Sequence, residues 1–329
     1  MKVVDFKRAG GPDVLRIKEL QLPNYPLCSY QIMIQVAAVG LNVFDTWIRQ
    51  GIPLYRGGSS SYLGYECSGK VVAVGSDVVE FKEGDEVCTF LESGGAYAEF
   101  VMVSISVVLR IPSKVSLVEA AALPKASQLT YFALSMLTNV KLGDTVMIHE
   151  TADGIDIIAI QYVKHIGCEV FAVAGTEEKL RYCKMLGADV CINYKKEDFC
   201  KRVKAETGEK GMDIILDVSG IENLQKNMGC LARGGSLVIS GFKIGSQVDL
   251  DIFSLMKKDI SIIGVDLWTL DCVGMRRLWS NVAAKIWPLI EAGHIKPIIG
   301  KIFTFNEAAE GHRALEEGSI PGKLLLVPE

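Results

Sequence analysis

Three carboxylates, Glu150, Asp153 and Asp156, crowd the turn between an apolar stretch at 145–149 and a helix-like run that begins at Ile155. A strand that turns directly into a helix is a ready anion site. A glycine-rich turn lets the backbone approach a pyrophosphate, and the helix N-terminus offers free N–H groups to it. Here the turn reads Glu150-Thr151-Ala152-Asp153-Gly154-Ile155-Asp156, with Gly154 its one glycine. Unit charges a few ångströms apart repel by about 1 to 4 kcal/mol at surface-like dielectric. The three acids are therefore expected to weaken or abolish the grip on a dinucleotide. Asp153 and Asp156 also suit a self-satisfied helix start, as N-cap and acidic first turn.

Other residues are fit for acid–base work. Asp45, Tyr55, Tyr65 and Lys125 are candidates, with Asn42 as a polar partner for a carbonyl. A Lys in a desolvated cleft becomes a base or an imine-former, because burial disfavours its charge. The plainer reading of Lys125 is an exposed Lys at a helix start. His149, His165, His294 and His312 form no catalytic set and read as structural. The nine cysteines are scattered, mostly in apolar stretches, with no C-x-x-C pair. They read as reduced core residues of a cytoplasmic protein, not as disulfides or metal ligands.

The elements that must position these residues fall into two patterns. Residues 1–120 carry short β-like runs at 2–6, 14–19, 31–40, 69–74, 86–90 and 96–102, separated by Gly, Pro and Asp. From about 121 the pattern becomes strand–helix alternation. Strands are expected at 145–149, 169–174, 190–193, 214–218, 236–239 and 260–265, with helices at 155–165 and 177–186. Such alternation predicts an α/β fold with a doubly wound parallel sheet. Near the end come a helix at 276–292, a strand at 298–303, a helix at 306–317 and a strand at 323–327. The expected division is 1–120 with 268–329, and 121–267.

The 329 residues are 49% hydrophobic and 22% charged, with a net charge of −4. No basic stripe suggests nucleic acid, and no apolar run approaches the roughly 20 residues that span a bilayer. The apolar segment at 260–265 is a candidate edge strand, and an uncovered edge invites pairing.

Several segments carry a family resemblance: AAVGLNVFDTWIRQG (37–51), YLGYECSGKVVAVGSDVVEFKEGDEV (62–87), GGAYAEFV (94–101), AAALP (120–124), INYKKEDF (192–199), WPLIEAGHIKP (287–297) and NEAAEGHRALEEGSIPGKLLL (306–326). Over essentially its whole length the chain resembles the zinc-free quinone oxidoreductases of the medium-chain dehydrogenase/reductase superfamily, notably the tumour-suppressor-inducible type and its plant relatives. The resemblance implies a GroES-like mostly-β catalytic domain and a Rossmann domain. It implies NADPH as cofactor, a small-molecule quinone or enone as substrate, and a homodimer. It implies no zinc: Asn42-Val43-Phe44-Asp45 replaces the metal-binding Cys region, Tyr65 stands where zinc relatives have His, and the four-cysteine lobe is missing.

Residue by residue, the resemblance places Asn42 near the nicotinamide and the substrate carbonyl, with Asp45 holding its loop. Thr130 falls beside the nicotinamide, and Gly241 and Phe242 line it. Gly175, Thr176, Lys179 and Tyr194 match positions that hold the 2′-phosphate, and Gly154, Gly220 and Lys323 complete the cofactor contacts. The chain departs from the family in its acidic turn, in Pro53 where relatives have Tyr, and in Lys125 where relatives have Glu. Three readings stay open: a reductase, a non-redox isomerase, lyase or cyclase on the same scaffold, and a non-catalytic binding protein.

Overall fold

The computed structural model describes residues 1–22, 26–52, 62–149, 154–218, 220, 223–241 and 247–329. In chain order, the first half contains β1 (Lys2–Asp5), β2 (Arg16–Glu19), β3 (Gln31–Gly40), α1 (Val43–Gln50), β4 (Glu66–Val74), β5 (Glu86–Phe90), β6 (Phe100–Ser104), β7 (Val108–Arg110) and α2 (Pro124–Tyr131). The alternating part follows with β8 (Thr145–His149), α3 (Ile155–Ile166), β9 (Glu169–Ala174), α4 (Glu177–Met185), β10 (Val190–Asn193), α5 (Phe199–Glu206), β11 (Met212–Asp217), α6 (Leu224–Cys230), β12 (Leu231–Ile239), α7 (Ile252–Lys258) and β13 (Ser261–Gly264). The chain closes with α8 (Cys272–Lys285), α9 (Trp287–Ala292), β14 (Ile299–Thr304), α10 (Ala308–Glu317) and β15 (Lys323–Val327).

The residues form two compact units. Met1–Ala126 and Trp279–Glu329 build the first, and most of the stretch between them, including Ile155–Leu278, builds the second. Both junctions fall inside helices, α2 and α8, and so leave little trace in composition.

In the first unit the described strands run β14-β15-β3-β4-β5-β7, with β6 also pairing β3. The alternation of β3, with Ile32, Ile34 and Val36 inward, packs it against Leu41, Leu63, Tyr97, Phe303 and Leu326. In the second unit the order is β10-β9-β8-β11-β12-β13, all parallel, the doubly wound pattern in which ligands gather beyond the strands' C-terminal ends. The chain is therefore α/β, a mostly-β unit joined to a doubly wound parallel sheet.

The strand expected at 236–239 begins earlier, at Leu231, and the one expected at 14–19 later, at Arg16; two further differences have a clear physical cause. The strand expected at 96–102 begins only at Phe100, because Ala96 and Tyr97 are committed to Gly64 and Leu63 through backbone bonds. The helix expected at 276–292 is two helices: Pro288, lacking an N–H, starts α9 after α8 has ended.

Candidate active site

The first unit buries a compact polar cluster around the N-terminus of α1. Asn42 is the N-cap, and Asp45 at the third helical position accepts its backbone N–H (2.9 Å). The other oxygen of Asp45 accepts the Gly64 N–H (2.8 Å) and ties the helix start to the strand β4 region. Burial pushes the Asp45 carboxyl up to about 6; the Gly64 and Asn42 N–H groups and the Lys125 and Lys323 charges pull the other way.

The Asn42 carboxamide is fully employed. Nδ2 donates to Gly40 O (3.1 Å) and to Glu66 Oε1 (3.0 Å), and Oδ1 accepts from Lys323 Nζ (2.8 Å). Lys323 Nζ also lies 2.8 Å from Glu66 Oε1, and Glu66 Oε2 accepts the Lys125 N–H (2.8 Å). Both members of this ion pair are buried. Gly40 leaves the space for it, since a Cβ there would stand 2.4 Å from Glu66 Oε1. Direct donation from Asn42 to a substrate oxygen would require one of its two bonds to break. Lys323 sits in the same cluster, as counter-ion to Glu66 and anchor of Asn42.

Lys125 is the second residue of α2 and is buried, in contrast to the exposed helix-start Lys of the plainer reading. Tyr65 is buried too, its ring edge-on to Phe44 at 4.9 Å. Tyr55 lies outside the described residues.

Sequence reading missed a second chain of groups behind Asp45. Arg49, fully buried, donates from Nε to Gly10 O (3.1 Å), pairs with Glu316, and reaches His312 Nδ1 (3.1 Å). His312 Nε2 is 2.8 Å from the Tyr97 hydroxyl. Burial drives the Tyr97 phenol upward, and the Asp45 charge and hydrogen bond add to it. Burial and the Arg49 charge lower His312 from 6.5 to about 3, so it is neutral at physiological pH. These partners stand up to 267 residues apart, and no local period signals them.

The second unit holds most of the residues expected at a cofactor; Gly154 and Lys323 belong to the first. Gly154 precedes α3 with φ +82°. Asp156 is buried in the first turn of α3; Glu150 and Asp153 lie outside the described residues, as do Pro53 and Phe242. Gly175, Thr176, Lys179 and Tyr194 come together at the ends of β9 and β10. Thr176 caps α4 by accepting the Lys179 N–H (3.3 Å), and a Cβ on Gly175 would meet the Tyr194 hydroxyl at 2.7 Å. Gly220, with φ +99°, donates to Asp217 Oδ1 (3.2 Å), and a Cβ on Gly241 would stand 2.5 Å from Val218 O. The Thr130 and Ser240 hydroxyls are buried without a hydrogen-bond partner among the described residues.

Comparison with known proteins agrees with this architecture. Residues 29–113 match the family described as alcohol dehydrogenase GroES-like domain, and residues 154–284 the family described as zinc-binding dehydrogenase. Human quinone oxidoreductase is 30% identical over 99% of this chain and 98% of its own. The chain belongs to the quinone-oxidoreductase-like medium-chain dehydrogenase/reductases. Among solved structures, Escherichia coli quinone oxidoreductase complexed with NADPH superposes with TM-score 0.89, 28% identity and full coverage of both chains. An NAD-dependent alcohol dehydrogenase superposes with TM-score 0.87 and 31% identity over 99% of each chain.

The zinc named by one family description does not fit these residues. Glu66 is already neutralised by Lys323 and the Lys125 N–H, and its neighbours Asn42 and Tyr65 offer an amide and a phenol in place of thiolate and imidazole. A dinucleotide does fit the second unit, where the orphaned Ser240 hydroxyl and close-packed Gly175 and Gly241 lie at strand ends and a second orphaned hydroxyl, Thr130, lies on α2.

Proposed function

We propose that this protein is an NADPH-dependent reductase of quinones or enones with a weakened hold on the cofactor phosphates. The observation that carries the reading is the buried Asn42–Glu66–Lys323 cluster. It puts an ammonium and a structural amide where a metal-dependent relative needs ligands, within a family whose similar members are quinone oxidoreductases.

NADPH, when bound, supplies a hydride. Thr130, Ser240, Gly220 and Gly241 would hold its nicotinamide end, and Gly175, Thr176, Lys179 and Tyr194 its 2′-phosphate. Reduction at the β-carbon of a quinone or enone leaves negative charge on the carbonyl oxygen, which needs a nearby cation or donor. Lys125 is our choice for that role. Its backbone is fixed by Glu66, and its ammonium acts on buried Asp45. Asn42, Asp45 and Lys323 act as positioning residues that keep the α1 start and the Lys125 backbone in register.

The non-redox reading draws support from Asp156, which puts a carboxylate at the helix end where a pyrophosphate would sit. Titration of the purified, cofactor-free protein with NADPH, followed by a screen of quinones and enones for NADPH oxidation, separates the two. Weak saturable binding with turnover supports the reductase. Absence of binding up to millimolar NADPH overturns it and leaves cofactor-free chemistry.

We also propose a cytoplasmic homodimer. Support comes from the outermost described strand β13, flanked by α7 with exposed Ile252, Phe253 and Met256, and from nine scattered cysteines that include no C-x-x-C pair. Among the described residues no helix is long and apolar enough to cross a membrane.

A further inference from the structure

Two thiols of the second unit lie together, outside every group used above. Cys200 is the second residue of α5, and Cys230 is the last residue of α6. Cys230 is fully buried among Phe199, Leu224 and Met228, and half-buried Cys200 packs against the same cluster. Cys200 Sγ reaches to within 3.4 Å of the place where Gly229, the residue before Cys230, would carry a Cβ. The α5–α6 contact thus brings the two thiols onto one apolar cluster.

Their surroundings divide the labour. Lys258 Nζ donates to the carbonyls of Met228, Gly229 and Leu231 (3.2, 3.0 and 2.8 Å), so a fixed ammonium sits at the end of α6. Cys200 is the half-buried thiol that an external oxidant can reach, and Cys230 is fully buried, so Cys200 is the nucleophile and Cys230 the resolving thiol. The neighbouring Cys230, then the Lys204 and Lys258 charges, draw the Cys200 thiol below the ordinary thiol range against burial and the Asp198 carboxylate, while Cys230 is pushed upward.

The two helices also share a load. The His149 ring at the end of β8 packs edge-on to Phe199 of α5 (5.4 Å, 87°), and its Nε2 is 2.9 Å from Asn227 Oδ1 of α6. Asn227 Nδ2 in turn donates to Asp217 Oδ2 (2.7 Å). Phe199 adjoins Cys200, and Asn227 lies three residues before Cys230.

We propose that Cys200 and Cys230 are a reversible disulfide modification site, and that oxidation by a low-molecular-weight disulfide straps α5 to α6 around His149. The Cys200 thiolate attacks one sulfur of the oxidant, breaks its S–S bond and expels one thiolate. That thiolate takes the Cys230 proton. The Cys230 sulfur then attacks Cys200 Sγ, forms the internal S–S bond and releases the second thiolate, which is protonated by the proton Cys200 had lost to solvent. Two protein thiols are oxidised and one external disulfide is reduced to two thiols.

The test is a peptide map of the full chain after exposure to oxidised glutathione, paired with alkylation rates near neutral pH. The proposal expects a linked Cys200–Cys230 peptide that dithiothreitol removes. It also expects Cys200, the reachable thiol of the pair, to alkylate faster than fully buried Cys230. Cys230→Ser should stop at a glutathione adduct on Cys200, and Cys200→Ser should leave Cys230 reduced. A glutathione adduct that persists on Cys200 in the native sequence, or a Cys200 that alkylates more slowly than Cys230, overturns it.

Discussion

Arg49 Nη1 lies 3.1 Å from His312 Nδ1, and a guanidinium only donates. The neutral imidazole therefore carries its proton on Nε2 and donates it to the Tyr97 hydroxyl 2.8 Å away. This one pairing fixes the direction of the bonds from Arg49 through His312 to Tyr97.

Stability should accordingly depend on acid through His312. Its folded value of about 3 lies below the ordinary 6.5, so its contribution is complete above about 6.5 and is lost as pH falls toward 3. Between about pH 7.5 and about pH 5 the loss from this group alone is about 2 kcal/mol. Urea denaturation of His312→Gln at both pH values should show that dependence abolished.

Asp45 works in the opposite sense. Its folded value of about 6 exceeds 3.8, so its ionised form is penalised at neutral pH, and stability returns as pH falls through 6. The gain by about pH 5 is about 1.4 kcal/mol. The native protein should therefore show only a shallow net loss over this range, and Asp45→Asn should expose the full His312 slope. Asp45→Asn should also be less stable than the native protein at neutral pH, because an amide cannot accept both the Asn42 and Gly64 N–H groups.

Removing one partner of the Lys323–Glu66 pair should cost more than removing both. Lys323→Met leaves a buried carboxylate without its cation, a loss of about 3 to 5 kcal/mol. The double variant Lys323→Met, Glu66→Gln should recover part of it. Chemical denaturation of the single and double variants measures the difference.

The Lys125 assignment predicts a rate effect without a binding effect. Lys125→Met should lower kcat for quinone reduction by about a hundredfold, the usual scale for losing one electrostatic contact to a developing oxyanion. NADPH affinity, read by fluorescence titration, should change less than about threefold. An equal loss in both would move Lys125 from chemistry to structure.

Cofactor affinity should rise when the acidic turn is neutralised. Each carboxylate near a pyrophosphate costs about 1 kcal/mol or more, close to tenfold in affinity. Asp156→Ala should tighten NADPH binding by about tenfold, and replacing Glu150, Asp153 and Asp156 together by about a hundredfold or more. Calorimetric titration checks both.

Strand positions in the second unit were readable because apolar runs bounded by turn residues map directly onto a parallel sheet. β8, β9 and β10 fall on the residues expected. The grouping of Gly175, Thr176, Lys179 and Tyr194 was accessible through family resemblance alone. The polar interior of the first unit was not. In the sequence Glu66 stands beside Tyr65 in the segment matched to the zinc relatives, with nothing to show its ion pair, and Tyr97, Arg49 and His312 read as ordinary structural positions. Their meaning lies in contacts between segments hundreds of residues apart, which neither period nor propensity encodes. Lys323 was flagged, but its partners Glu66 and Asn42 emerge only when β15 is laid beside β3.

That last juxtaposition has a consequence for synthesis on the ribosome. β15 pairs with β3, and its first residue, Lys323, reaches back 281 positions to Asn42. Until β15 emerges, Glu66 has no ammonium to offset it, and the sheet that contains β3 lacks a neighbour on that side. The intervening residues, by contrast, build a sheet whose strands are all made before α8. The later-numbered unit is thus free to mature first, while the earlier-numbered one waits for its final strand to neutralise a carboxylate made long before.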